Sequence, residues 1–489
     1  MNLETGRLLE TLQATLAQLV NRYGVPGSDM DLLAARVAIG ELLRQADSSA
    51  ARRLYEEGRD LAVRLTPSVQ QVDSSNSGLL QLRELPKSIH EAEDYASCRS
   101  WLEAIKKALA LLVADLTPDA SAELSDILYA VSEWEARLLR APHPAREPDA
   151  PENDVHKMLE RSARAQGGQF GEAQISDVQT LLGGFANNTT LFQLKDGNGQ
   201  AWDLVARADT GLQLGIEGRD ISGEFHLLRF LHRHGITVAE PLWLEENTRT
   251  YGTKFLVTRK VGGRNFGTVV EAQKLSAIQI QALANELAQI HGLPLDPADP
   301  DLRVSHIDTR LLGGSTSEAM NDYLERWIRL WLSTGLENSP TIIATMNWLR
   351  ANLPQIDDSP TLVHGDYAMH NIMMQDERIS GVLDWEMAHL GSRAEDIAGL
   401  LASFPEADNA EEFMRHYVAA GGKAPTGFEL RYCDVFRHFG MYVVMLESQM
   451  RFKMNSELHP ELLVLGSFVA TPADRMPKLI ADAECAKAQ

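Results

Sequence analysis

Cysteine is nearly absent from this chain: three in 489 residues, at Cys98, Cys433 and Cys485. They are odd in number and far apart. That excludes a disulfide framework and a Cys-based zinc site, and predicts a reduced, cytoplasmic protein. No apolar run approaches about 18 residues, so no membrane-spanning helix is expected. The first residues, MNLETGRLLETLQ, lack the basic stretch and apolar run of a signal peptide. Positive charge is scarce too: 46 Lys and Arg stand against 68 Asp and Glu, for a net charge of −22. A field of that sign disfavours broad binding of nucleic acid or anionic membrane, and any phosphate site must be locally basic against it. With 44% hydrophobic and 23% charged residues the chain can bury sizeable cores. Its length predicts two to four domains; nothing in the pattern fixes an oligomeric state.

The clearest change of composition is APHPAREPDAPEND, which predicts an extended Pro- and acid-rich linker over 141–165. Before it, residues 1–140 read as a helical bundle. Leu8, Leu9, Leu12, Leu16 and Leu19 follow helical spacing, as do Leu32, Leu33, Val37 and Leu42. Further helices are expected over Ala50–Leu65, Glu91–Val113 and Pro118–Leu139, with a loop between Thr66 and Pro86. After the linker, 166–262 reads as strands with one helix. The strands fall at Val178–Gly183, Thr190–Lys195, Trp202–Arg207, Pro241–Leu244 and Phe255–Lys260, and the helix at Ser222–Arg233. The turn Asp196-Gly197-Asn198-Gly199 predicts a hairpin. Residues 263–489 read as mainly helical. The fold class is therefore α+β: a two-lobed arrangement behind an appended all-helical N-terminal domain.

Residues 361–386, TLVHGDYAMHNIMMQDERISGVLDWE, carry the chemistry. Asp366 and Asn371 stand in the pattern H-x-D-x-x-x-x-N, and Asp384 follows a short apolar run. Asn371-Ile372-Met373-Met374 and Ile379–Leu383 read as strands joined by the turn Gln375–Arg378, a hairpin that would return Asp384 to the side of Asn371. Transfer of the γ-phosphoryl group of ATP needs a carboxylate beside the attacking hydroxyl and oxygen ligands that hold Mg2+ against the phosphates. Asp366 suits the first role; Asn371 and Asp384 suit the second. On the nucleotide side, Gly183, Gly184, Asn187 and Asn188 sit between two strands, where backbone amides can approach phosphate. Tyr367, His370 and Glu386 flank the catalytic segment as candidate acceptor contacts. Arg326 and Arg329, on a helix with Tyr323, Trp327 and Trp331, either meet an anionic acceptor or face solvent. His291 and His364 read as packing residues near the loop, and Asp396 as a charge stabilising a helix start.

HGDYAMHN and VLDWE resemble the aminoglycoside phosphotransferase and choline kinase superfamily, a branch of the protein-kinase-like fold. LGGFANNT resembles its phosphate-side turn. Kinases place a Lys on the third strand, paired with a helix Glu; here the matching residue is Arg207, in LVAR, and its expected partner is Glu224. Lys195 and Lys260 are rival phosphate bases. LVARADTG, EFHLLRFLHRHGITVAEPLWL and FLVTRKVGGRNFG resemble a subgroup related to the kinase domains found beside acyl-CoA dehydrogenases, over roughly Val178–Leu400. The resemblance implies an ATP- and Mg2+-dependent kinase acting on a hydroxyl of an acyl-CoA or similar metabolite. The alternatives are an aminoglycoside or macrolide phosphotransferase, and a pseudokinase scaffold working through its helical domain.

Overall fold

The structure, a computed structural model, describes residues 48–66, 77–86, 95–114, 155–181, 187–209, 220–265, 275–333, 339–404, 407–453 and 468–488, with isolated positions between them. The helices expected around 8–19 and 32–42 lie outside these residues, as do Gly183 and Gly184 and most of the helix expected over Pro118–Leu139. The chain divides into two compact units. One is Met1–Asp149 with Arg326–Asn352 and His438–Gln489; the other is Ala150–Glu325 with Leu353–Arg437.

The first unit is helical among its described residues. It contains α1 (Ser48–Leu65), α2 (Ser77–Glu84) and α3 (Tyr95–Ala114). The second corrects the expected loop: Leu79 and Leu82, three apart on one face, are buried as α2 packs on α3. The helix Pro340–Ala351 packs against α3 and against Ala470–Lys487. These later segments thus join the N-terminal helices, where the sequence reading had one helical domain over 263–489.

The second unit opens with α4 (Val155–Ala165), in what the composition predicted as linker. Leu159 and Ala163, one turn apart, are fully buried against the sheet, and Ser162 accepts a 2.9 Å hydrogen bond from Trp243 Nε1. The Pro-rich signal ends at Asp154; the next eleven residues carry an apolar helical stripe that the acidic neighbourhood obscured.

A five-stranded antiparallel sheet follows, built from β1 (Gln174–Leu181), β2 (Asn187–Lys195), β3 (Ala201–Asp209), β4 (Pro241–Glu245) and β5 (Phe255–Arg259), in the order β1-β2-β3-β5-β4. The β2–β3 hairpin closes as expected: Asp196 Oδ1 accepts from Asn198 and Gln200 N–H, both at 2.9 Å. Between β3 and β4 runs α5 (Ile221–Arg233), capped by Asp220, which accepts from Gly223 N–H at 2.9 Å. Beyond the short β6 (Arg264–Asn265), α6 (Ala277–His291) starts on a Ser276/Gln279 capping box. Two small strand groups then frame the catalytic segment. β7 (Thr361–Val363) pairs with β10 (His389–Gly391), and β8 (Ile372–Gln375) lies between β6 and β9 (Arg378–Val382). After them come α7 (Ala394–Leu401) and the first part of α8 (Gly427–Lys453), whose residues from His438 on belong to the first unit. One core joins α5, α6, the catalytic segment and α7 through Phe230, Leu283, Leu287, Trp385 and Ile397. This is the protein-kinase-like fold, with a sheet-based lobe and a helical lobe. Among the described residues no helix is long and apolar enough to cross a membrane.

Because α4 belongs to the sheet, Leu159→Ala should destabilise the protein by about 2–5 kcal/mol, as for other buried leucines. A lowered urea midpoint is the expected result; an unchanged one would mean that α4 does not stabilise the sheet.

Candidate active site

The catalytic loop is held by its backbone. Gly365 has φ +82°, and a Cβ there would stand 2.5 Å from the Met387 carbonyl oxygen, so glycine is required in HGD. Asp396, in the first turn of α7, takes the amide hydrogens on both sides: Oδ2 accepts from His364 N–H at 2.8 Å and Oδ1 from Gly365 N–H at 2.9 Å. Behind it, His291 Nε2 is 3.2 Å from Asp396 Oδ2, and Nδ1 is 2.8 Å from the Tyr417 hydroxyl. Burial opposes ionisation of Asp396, but the His291 hydrogen bond, the charges of His291 and His364 and the loop amide together hold its pKa below the ordinary value. His364 faces the other way. Its Nδ1 accepts from Asp366 N–H at 3.2 Å, so Nε2 carries the proton and donates to the Leu383 carbonyl at 2.9 Å. Both histidines are thus packing residues as expected, whereas Asp396 does more than stabilise a helix start.

Asp366 is half-exposed and its Oδ2 is doubly engaged. Asn371 Nδ2 donates to it at 2.8 Å and His370 Nε2 lies 3.1 Å away. Burial by itself favours the neutral acid; the His370 hydrogen bond and the charges of His370, Arg437 and His364 hold the carboxyl down at about 2. Burial would likewise lower the His370 pKa, but the Asp366 carboxylate raises it above its usual value. Among the described residues nothing donates to Asn371 Oδ1, because the amide nitrogen takes the bonds to Asp366.

The β8–β9 hairpin brings Asp384 back as its spacing predicted. Ile372 pairs with Val382, and Leu383 N–H donates to the Asn371 carbonyl at 2.8 Å. The turn is Asp376-Glu377 with both φ positive, 49° and 60°, the twist a tight hairpin needs. Val382 N–H donates to Thr237 O at 2.7 Å, and Thr237 is clamped by buried Glu286 through its N–H at 2.8 Å and its hydroxyl at 2.9 Å. No sequence signal marked Glu286. Asp384 itself adopts the left-handed conformation, φ 66°, ψ 63°.

Arg207 lies on β3, the middle strand of the sheet. Its Nη1 bonds Glu224 of α5, as the strand–helix pairing predicted; its Nη2 donates to Asp384 Oδ1 at 3.1 Å and stands 3.8 Å from Glu386 Oε2. Burial works against the guanidinium's charge, but Glu224, Asp384 and Glu386 outweigh it and push its pKa up. Lys195 and Lys260 are exposed.

The remaining candidates separate. Asn187 and Asn188 open β2, and Asn188 is exposed. Tyr367 is buried in the core with its hydroxyl on the Leu283 carbonyl at 3.2 Å, so it is unavailable to an acceptor. Arg326 and Arg329 fall in the first unit; their helix turns Trp327 and Trp331 into its core.

A carboxylate on a backbone-clamped loop, an amide and a second carboxylate from one hairpin, and a strand cation tied to a helix carboxylate define a kinase-like phosphotransferase. The profile of the phosphotransferase enzyme family matches residues 177–432, more than half of the chain, and the chain belongs to that family. Among curated relatives, acyl-CoA dehydrogenase family member 11 of Mus musculus is 29% identical over 186 residues, 37% of this chain and 22% of that protein. The Gallus gallus protein of the same name is 29% identical over 229 residues, 45% of this chain and 27% of that protein. The chain therefore spans only a minor part of these relatives' length. A solved macrolide 2′-phosphotransferase from Brachybacterium faecium is 19% identical with a TM-score of 0.44, covering 63% of this chain and 97% of that one.

Asp396→Asn removes one of two acceptor oxygens facing backbone amides and should cost about 1–3 kcal/mol of stability at neutral pH. A carboxyl with a lowered folded pKa stabilises fully above its unfolded value of about 3.9, and this contribution fades as pH falls through the folded value. The gap between wild type and variant should accordingly narrow below about pH 4. Thermal melts from pH 7 to pH 3 check it; a gap independent of pH would overturn the anchoring role.

Proposed function

We propose that this protein is an ATP- and Mg2+-dependent kinase that phosphorylates the hydroxyl of a small metabolite, of the hydroxyacyl-CoA type. The observation that carries the reading is the position of Arg207. One guanidinium joins Glu224 to Asp384, and the Asp384 hairpin is bonded to the Asn371 segment that holds Asp366. The strand lysine of kinases is missing, but its place is filled by a cation in the same pairing. That arrangement favours catalysis over a scaffold role.

The residues present fit a hard divalent cation. Asn371 offers its amide oxygen and Asp384 a half-exposed carboxylate. Among the described residues no group of three or more His, Cys, Asp or Glu could hold a metal. Two oxygen ligands suit Mg2+, which keeps waters and takes substrate phosphates for the rest of its shell. When bound, it would neutralise phosphate charge.

Arg207 would meet the phosphates with a planar fork, held in aim by Glu224. Asp366 has one oxygen occupied by Asn371 and His370, which leaves Oδ1 to accept a hydrogen bond from the acceptor hydroxyl. As that oxygen bonds to the γ-phosphorus, the bond to the β–γ bridging oxygen breaks, ADP leaves and the hydroxyl proton passes to Asp366. Asp366 would orient the hydroxyl and take up its proton in the same step. The acyl-CoA class of acceptor rests on the named relatives and on the strand and helix segments shared with that subgroup. ATP as donor and the scarcity of cysteine fit a cytoplasmic setting.

Purified protein with Mg–ATP and a panel of hydroxyl compounds, including hydroxyacyl-CoA esters, should yield a product heavier by one phosphoryl group. Asp366→Asn should keep Mg–ATP binding and lose transfer by about 10²–10⁴-fold; near wild-type turnover would remove Asp366 from its role. Arg207→Ala should raise the ATP KM and lower kcat together, with Arg207→Lys recovering only part, since an ammonium keeps the charge without the fork. Unchanged kinetics for Arg207→Ala would transfer the phosphate-binding role to another base.

A further inference from the structure

Helix α5 carries Glu224 to Arg207 on one face, and its opposite face is engaged as well. His226, Arg229 and Arg233 lie roughly 140–200° around the helix from Glu224, at about 100° per residue. All three meet one buried carboxylate, Asp301: His226 Nδ1 at 3.4 Å, Arg229 Nε at 3.5 Å and Arg233 Nη1 at 2.8 Å. Arg233 spreads its fork over two carboxylates, since Nη2 reaches Asp299 at 2.5 Å. No motif marked either aspartate.

Both belong to a segment that follows α6. Asp299 caps the short helix Pro300–Val304, its Oδ1 accepting from Asp301 N–H at 3.0 Å and from Leu302 N–H at 3.1 Å. Leu302 and Ile307 seat the segment in the core that α5 and α6 share. Its backbone then passes so near α5 that a Cβ on Gly223, the residue before Glu224, would stand 2.9 Å from His306 N. Rotation of α5 would pull the basic side chains off Asp301 and drive Gly223 into that backbone. Retreat from Arg207 is blocked by the segment itself. A carboxylate as buried as Asp301 is costly without partners, so its position and that of α5 specify each other.

We propose that Asp301 is a positioning residue for phosphoryl transfer: it holds α5 at the rotation at which Glu224 aims Arg207. The proposal rests on the kinase reading above and deepens it. The brace is part of the chain, so the strand–helix pair forms without a partner protein or a modification to bring the helix in. Asp301 touches no substrate. Its influence runs through the helix to Glu224, then to the guanidinium that meets Asp384.

A double-mutant cycle on the full chain tests this, with Mg–AMP-PNP as the calorimetric probe. Asp301→Asn and Arg233→Gln, the latter at a half-exposed position that folding tolerates, should each weaken binding about 3–10-fold, the size of a lost hydrogen bond. Asp301→Glu should recover part of the loss. In a Glu224→Gln background neither substitution should weaken binding further, because the pair they support is already broken. Thermal melts should show the same destabilisation in both backgrounds. Hydrogen exchange without nucleotide should speed up at the first turns of α5 in both variants. Equal weakening in the two backgrounds would reduce Asp301 to a structural residue and overturn the proposal, as would unchanged binding or unchanged exchange. A wild type that fails to bind Mg–AMP-PNP would overturn the kinase reading instead, and the exchange measurement would still decide whether Asp301 holds α5 in place.

Discussion

Two adjacent amide hydrogens pointing at one buried carboxylate set the geometry of everything around Asp366. Asp396 can accept both only if the chain reverses at Gly365, and that reversal aims the Asp366 side chain outward. His291 and the Tyr417 hydroxyl complete the buried chain of hydrogen bonds, so the loop is fixed from α6 and α7. A loop tied this way needs no ligand to take up its conformation, and catalysis by positioning depends on that property.

The second constraint is charge. The chain is strongly acidic, and Arg207 stands among three carboxylates, Glu224, Asp384 and Glu386. Arg207 thus holds the acidic cluster together. It offsets the charge of Asp384 across 3.1 Å. On the proposed function, a bound divalent ion would take over that task and leave the guanidinium for phosphate. Lysine, a point charge on a flexible stem, is less suited to bridging carboxylates from a helix and a hairpin at once.

Much of this was legible in the sequence, and the reasons differ by element. The sheet and its hairpin follow from period-two apolar residues and the DGNG turn, and the β8–β9 hairpin from two short runs around a polar turn. Arg207 with Glu224 followed from strand and helix offsets that the fold preserves. Helix α4 was hidden because acidic and proline-rich neighbours dominate its composition, although Leu159 and Ala163 already lie one turn apart. For the helix with Arg326 and Arg329, the sequence placed Trp327 and Trp331 on a core-facing stripe, and both are buried. Glu286 could not be read at all. It acts on Thr237, far away in the chain, through hydrogen bonds that exist only once the helices have packed.

Asp384 combines two demands in one residue. Its left-handed backbone, φ 66°, is one that glycine adopts freely and that a residue with a Cβ occupies at a cost of about 1–2 kcal/mol. Selection for stability alone would therefore favour glycine there, and would remove the carboxylate in the same step. The hairpin turn Asp376-Glu377 holds a similar conformation in a place with no assigned chemistry, where glycine would be free to enter. At 384 the strained backbone delivers a carboxylate to Arg207, whereas at 377 it delivers one to the Ser276 hydroxyl at the start of α6.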